Sequence, residues 1–169
     1  FPVSLLVESC EFENNIGHLG SNPWAGDGGA ILVKGISGRY VDVEITDSTF
    51  RNNFSAQGAG LYMGRFATGS VTACRFLDNV AYLQGGATFK GGAFPENQGE
   101  TAVYTYCEFS RNVAGLDEFG APSLELGRGG AFSTRFHPRA DFRNCTFVDN
   151  LALGPVGEGD SVMLPNEGG

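Results

Sequence analysis

Residues 71–88 read VTACRFLDNVAYLQGGAT. Val71, Cys74, Phe76 and Asn79 set a frame: an apolar residue, two residues, Cys or Ser, one residue, Phe, two residues, Asn. The frame returns as Val7-Cys10-Phe12-Asn15, Ile45-Ser48-Phe50-Asn53, Tyr104-Cys107-Phe109-Asn112 and Phe142-Cys145-Phe147-Asn150. Five copies matched at four coupled positions make an internal repeat. A second element follows each Asn: Gly28-Gly29-Ala30-Ile31, Gly58-Ala59-Gly60-Leu61, Gly85-Gly86-Ala87-Thr88, Gly129-Gly130-Ala131-Phe132 and the degenerate Gly159-Asp160-Ser161-Val162. Successive Phe residues of the frame are 38, 26, 33 and 38 positions apart, so the length variation belongs to loops outside it.

Val3, Leu5 and Val7, then Val41, Val43 and Ile45, alternate with period two, as do Cys and Phe within the frame. That is strand spacing, with alternate residues on one side. Like strands recurring at this period pair in parallel with their own copies, each repeat forming one coil that rises about 4.8 Å to the next. The expected fold is all-β: a right-handed parallel β-helix of about five coils, one domain over residues 1–169. Phe12, Phe50, Phe76, Phe109 and Phe147 would stack in one column. Asn15, Asn53, Asn79, Asn112 and Asn150 would form a second, their amides bonding coil to coil. A β-sandwich is the competing architecture, but its strands do not recur with residue identity.

Composition agrees. The chain has 169 residues with 26 Gly, about double ordinary usage, which argues against a compact helical protein. Eleven Lys and Arg against 19 Asp and Glu give a net charge of −8, unsuited to phosphate-backbone binding, so nucleic acid is not an expected partner. No apolar run approaches the roughly 20 residues of a membrane-spanning helix. No Met or signal-peptide pattern precedes Phe1-Pro2, and no capping segment precedes Val3; both features fit a segment of a longer chain.

The paired motifs, Phe-x-x-Asn and Gly-Gly-Ala-apolar, resemble polymorphic outer membrane protein repeats, a family best known from chlamydial autotransporter passengers. More broadly the chain is similar to parallel β-helices of the pectate-lyase type. Phe12, Asn15 and Gly29-Ala30-Ile31 carry the resemblance, as do Phe76, Asn79 and Gly86-Ala87, while Gly58-Ala59-Gly60 and Gly159-Asp160-Ser161 depart from Gly-Gly-Ala. The resemblance implies secretion, surface display and a part in adhesion or extracellular assembly, and implies no catalysis.

Many β-helices nevertheless act on polysaccharides, so a polysaccharide lyase, hydrolase or epimerase is the alternative expectation. Outward positions before each Phe are Glu11, Thr49, Arg75, Glu108 and Thr146; those four before it are Glu8, Thr46, Thr72, Thr105 and Arg143. Arg75 and Glu108 become neighbours and read as a surface ion pair worth under about 1 kcal/mol rather than a glycan-handling site. The Thr46-Thr72-Thr105 run is too short for a hydroxyl array. His18 and His137 stand alone in different loops, so no metal and no cofactor is expected. Cys10, Cys74, Cys107 and Cys145 fill one column, broken by Ser48; parallel stacking aims their side chains the same way, so they read as small free-thiol hydrophobes. Of two sequons, Asn53-Phe54-Ser55 places its Asn in the interior column and Asn144-Cys145-Thr146 places its Asn outward.

Binding is expected in the loops. One insert, Gly17 to Asp27, holds His18 and the sole Trp24; another, Gly115 to Arg128, holds Asp117, Glu118 and Phe119. Both leave the frame at the same corner, three coils and about 14 Å apart. Phe89 to Glu100, with Phe94, reads as a return turn that protrudes elsewhere. The expected function is a non-catalytic extracellular structural or adhesive module. It contacts protein, further coils of its own chain, or glycan.

Overall fold

The computed structural model describes residues 3–17, 26–37, 39–92, 100–117, 119–121, 127–135 and 138–153. The first coil carries β1 (Val3–Glu8), β2 (Glu11–Glu13) and β3 (Ile31–Val33). The second carries β4 (Val41–Thr46), β5 (Thr49–Arg51), β6 (Phe54–Gln57) and β7 (Leu61–Met63). The third has β8 (Ala67–Thr72), β9 (Arg75–Leu77), β10 (Val80–Gln84) and β11 (Thr88–Gly91). The fourth has β12 (Thr101–Thr105), β13 (Glu108–Ser110), β14 (Val113–Ala114) and β15 (Phe132–Arg135). The fifth has β16 (Arg139–Arg143), β17 (Thr146–Val148) and β18 (Leu151–Ala152). These strands stack into four parallel sheets, ordered β1-β4-β8-β12-β16, β2-β5-β9-β13-β17, β6-β10-β14-β18 and β3-β7-β11-β15. The fold is a parallel β-helix.

Register follows residue identity. Phe12, Phe50, Phe76, Phe109 and Phe147 pair in succession, with ring centroids 4.7 to 5.0 Å apart and planes within 6°. Coil spacing and ring centroid distance coincide, so one aromatic per coil continues the column. Val7, Ile45, Val71, Tyr104 and Phe142 form the facing apolar column.

Each coil turns where one residue takes a left-handed backbone. Ser9, Asp47, Ala73, Tyr106 and Asn144, each directly before the Cys or Ser of the frame, have φ between 47° and 55°. The Cys or Ser then donates to the carbonyl two residues back: Cys10 to Glu8 at 3.2 Å, Ser48 to Thr46 at 2.7 Å, Cys74 to Thr72 at 3.3 Å. Cys107 and Cys145 repeat this at 3.5 and 3.4 Å. The column therefore asks for a small side chain with a donor, which is why Cys and Ser interchange. A second left-handed corner precedes each column Asn, at Asn14, Asn52, Asp78, Arg111 and Asp149. In the Gly-Gly-Ala element Gly85 takes φ +63°, while a Cβ on Gly86 would lie 2.0 Å from the Gly130 carbonyl oxygen.

The Asn column is the polar counterpart of the Phe column. Asn79 Oδ1 accepts from the backbone N–H of Asn53 at 3.1 Å and from its Nδ2 at 2.9 Å. Asn79 Nδ2 donates to Phe50 O and to Asn112 Oδ1, both at 2.9 Å. The same pattern joins Asn15 to Asn53 and Asn112 to Asn150. Every bonding site of the buried amide is used.

The ends of the return turn read over Phe89 to Glu100 need correction, because β11 continues through Gly91 and Glu100 is buried; its middle, residues 93–99, lies outside the described residues. Lys90 occupies the inward register of Val33 and Met63. Its ammonium is fully buried, donating to Glu100 Oε2 at 3.2 Å and to the carbonyls of Gly64 and Gly91 at 3.1 and 2.6 Å. Glu100 Oε1 in turn accepts from the Phe66 N–H at 3.0 Å.

Asn79→Ala strands the Asn53 N–H and the Phe50 carbonyl in the interior, and each buried orphan costs about 1–3 kcal/mol. Asn79→Asp keeps the shape but sets a carboxylate against two acceptors, and is expected to lose comparable stability in urea unfolding. Lys90→Met fits the space but leaves the Glu100 carboxylate unpaired, at a cost of about 3–5 kcal/mol. The Lys90→Met/Glu100→Gln double variant is expected to recover most of it. Burial lowers the Lys90 pKa, opposed by the Glu100 charge. Between that lowered value and 10.5 the unfolded chain binds more protons than the folded one, so stability rises with pH across the window. Denaturant midpoints followed through that pH range should show the rise in the wild type and not in the double variant.

Candidate functional site

Both sequence-predicted inserts depart from the frame after the third side of a coil. Gly17 N–H bonds Phe54 O and Gly115 N–H bonds Ala81 O, each at 2.8 Å. The chain rejoins where Gly28 N–H meets Gln57 O and Arg128 N–H meets Leu83 O, both at 2.9 Å. The inserts belong to coils one and four, as the spacing predicts. Trp24, His18, Glu118, Phe94 and His137 lie outside the described residues.

Asp117 and Phe119 are described, and they have different jobs. Asp117 Oδ1 accepts from the Phe119 N–H at 2.9 Å and the Ala121 N–H at 2.8 Å, and the Asp117 N–H donates to Ala121 O at 2.8 Å. Gly120 has φ +80°, which closes the turn. Asp117 thus spends its carboxylate on the backbone and braces a loop tip. Phe119, on that tip, is 86% exposed.

The outer column of β2, β5, β9, β13 and β17 carries the predicted Arg75–Glu108 pair, Nε to Oε2 at 3.0 Å, with both side chains open to solvent. Sequence reasoning missed the stronger neighbour: Arg111 grips Asp78 through Nε and Nη2, each at 2.7 Å. Both residues are second-corner positions one coil apart, so the register alone could have found them.

A shallow groove of about 460 Å³ runs over the outer face of β1, β4, β8 and β12, with Ser4, Asp42, Glu44, Thr68 and Ser70 among its lining. Asp42 and Glu44 share one face of β4, two residues apart. Arg75 does not line this groove. Among the described residues no three His, Cys, Asp or Glu side chains gather so as to hold a metal ion.

Residues 9–34 match the family model described as the Chlamydia polymorphic membrane protein repeat. The matched span runs from the Ser9 corner through Phe12 and Asn15 to the strand after Gly28-Gly29-Ala30. The first coil is thus similar to one repeat of that kind. The other coils hold the same columns in register with this first one. The description of that model names such repeats as parts of membrane proteins. No curated protein and no solved structure matches the chain.

Within the repeat the four cysteines are free thiols. The neighbouring Cys74 thiol, together with burial, pushes the Cys107 thiol pKa up. Cys10 stands apart, exposed, its N–H bonded to Ser48 Oγ at 3.1 Å. Asn53 is buried and Asn144 exposed, as the column assignment requires.

Because the column asks for size and a donor rather than for sulfur, Cys74→Ser should fold with a loss of about 1–3 kcal/mol for the polar group buried in the core. Cys74→Val should lose the donor instead. Thermal melts of both variants under reducing conditions, beside Ser48→Ala, check the order.

Proposed function

We propose that the chain is a non-catalytic structural and adhesive module of a surface-displayed or secreted protein, and that it contacts a protein or glycan partner through its corner inserts. Phe119 carries this reading. An aromatic ring held 86% exposed offers a partner a large apolar area to bury, and the Asp117 bonds pre-order the tip that presents it. Rigid aromatic anchors of this kind concentrate binding energy at interfaces.

Among the described residues, β1 and β16 are the edge strands of their sheet. Phe147 and Val148 on one end, and Leu6 and Val3 on the other, stay open to solvent. Further coils of a longer chain, or a protein partner, would cover these ends. The single β-helix domain of residues 1–169 is in this reading a slice of an extracellular fibre. A net charge of −8 works against nucleic acid as a partner.

A second reading is favoured by one observation. The groove with Asp42 and Glu44 on one strand face offers a pair of carboxylates, the residue types with which a hydrolase acts on a neutral polysaccharide.

Beads coated with the chain should adhere to cells or to an array of matrix proteins. Phe119→Ser should cut that adhesion several-fold while leaving the melting temperature unchanged. Equal adhesion by the variant would remove the insert from the proposal. Turnover of a polysaccharide, lost in Asp42→Asn/Glu44→Gln, would overturn the non-catalytic assignment.

A further inference from the structure

Glu8, Thr46, Thr72, Thr105 and Arg143 form one outward column that crosses all five coils in register. Its two ends carry opposite charges. Glu8 is exposed and forms no ion pair among the described residues. The Arg143 side chain is 65% exposed and reaches Asp141 only at 3.9 Å.

The other columns stop in the same unfinished way. Phe50, Phe76 and Phe109 are fully buried between their neighbours, while Phe147 on coil five stays 47% exposed and Phe12 on coil one is half-buried. Cys74 and Cys107 are buried, while Cys10 is exposed and Cys145 half-buried. Ile16 and Leu151 end the column that runs through Phe54, Val80 and Val113, and Ile16 is 70% exposed. With coil five of one copy set against coil one of a second, Phe147 meets Phe12, Cys145 meets Cys10, Asn150 meets Asn15 and Leu151 meets Ile16. Each junction repeats, in residue type, one that already exists inside the stack.

Charge selects this arrangement over the inverted ones. In the same register Arg143 of one copy meets Glu8 of the next, and no described outward column sets two like charges against each other: Asp141 falls beside Leu6 and Val148 beside Glu13. Coil one set against coil one instead gathers Glu8, Glu11 and Glu13 of both copies, with Glu11 and Glu13 already sharing Arg51. Coil five set against coil five leaves every Glu8 without a counter-ion. On a chain of net charge −8, either inversion adds like-charge repulsion.

We propose that a second copy of this chain docks its coil one on coil five of the first, pairing β16 with the incoming β1 and closing an Arg143–Glu8 ion pair across the joint. The contact is heterologous, so each joint leaves one coil one and one coil five open. Copies therefore add into a filament with about 24 Å of stack per copy, five coils at about 4.8 Å each. The inference rests on the reading of the chain as a structural module and makes no use of the Phe119 tip.

Sedimentation velocity over a wide concentration range, under reducing conditions and beside negative-stain microscopy, tests it. Mass should climb past the dimer as concentration rises, and maleimide labelling of the exposed Cys10 should fall with it. Glu8→Arg and Arg143→Glu, both at exposed positions and each checked by thermal melting, should weaken association several-fold. An equimolar mixture of the two variants should recover it, because alternating copies restore opposite charges at every joint. Phe119→Ser should leave assembly unchanged, so failure here and failure of the insert reading are told apart. A folded chain that stays monomeric at every concentration overturns the second copy as occupant and leaves these coils to other partners. Association that stops at a dimer, that ignores both charge reversals, or that the mixture fails to recover overturns the head-to-tail joint.

Discussion

A buried amide that donates forward, donates back and accepts twice is the interaction on which this fold depends. Corners of a β-helix leave backbone groups pointing into a dry interior, and water cannot reach them. The Asn column supplies both a donor and an acceptor at each level, so Asn79 satisfies the Asn53 N–H and the Phe50 carbonyl in one move. Its neighbour three residues earlier, Phe76, fixes the distance at which this works, because aromatic stacking and coil rise share one spacing. The left-handed corners before Cys or Ser and before Asn then follow. They aim strand, corner donor and amide at the same places in every coil.

Most of the frame was legible in the sequence because stacking demands residue identity, and identity at fixed spacing is what the eye can find. Phe12 to Phe147 and Asn15 to Asn150 pair as their positions required. The corners were half visible. Asn14, Asn52, Asp78 and Asp149 are residue types that tolerate left-handed backbone, but Arg111, Ala73 and Tyr106 carry no such signal. There the geometry is imposed by the coils on either side. Lys90 was hidden for a different reason. A lysine in a strand reads as outward-facing, and only its pairing with Glu100, reached across a loop, makes the inward position tolerable.

The candidate sites divide along the same line. Phe119 was placed by counting residues beyond the frame, and Asp117 beside it proved to be a brace for the tip, something a sequence motif of two residues cannot distinguish from a ligand. The Arg111–Asp78 grip drew no attention in the linear chain because its two residues lie 33 positions apart. They meet only once the coils are stacked. In a solenoid, a site is written across repeats, one residue per coil. Single-repeat motifs describe the scaffold, and function is read at right angles to the chain.

The Asn column also has a direction. Asn15 donates to Asn53, Asn53 to Asn79, Asn79 to Asn112 and Asn112 to Asn150, never the reverse. One face of the stack therefore presents an amide oxygen at Asn15, and the other presents N–H groups at Asn150. A neighbour arriving in the same sense meets donor with acceptor, while one arriving inverted sets oxygen against oxygen. The stack is polar, like a magnet with two unlike poles, and anything that extends it must be threaded the same way round.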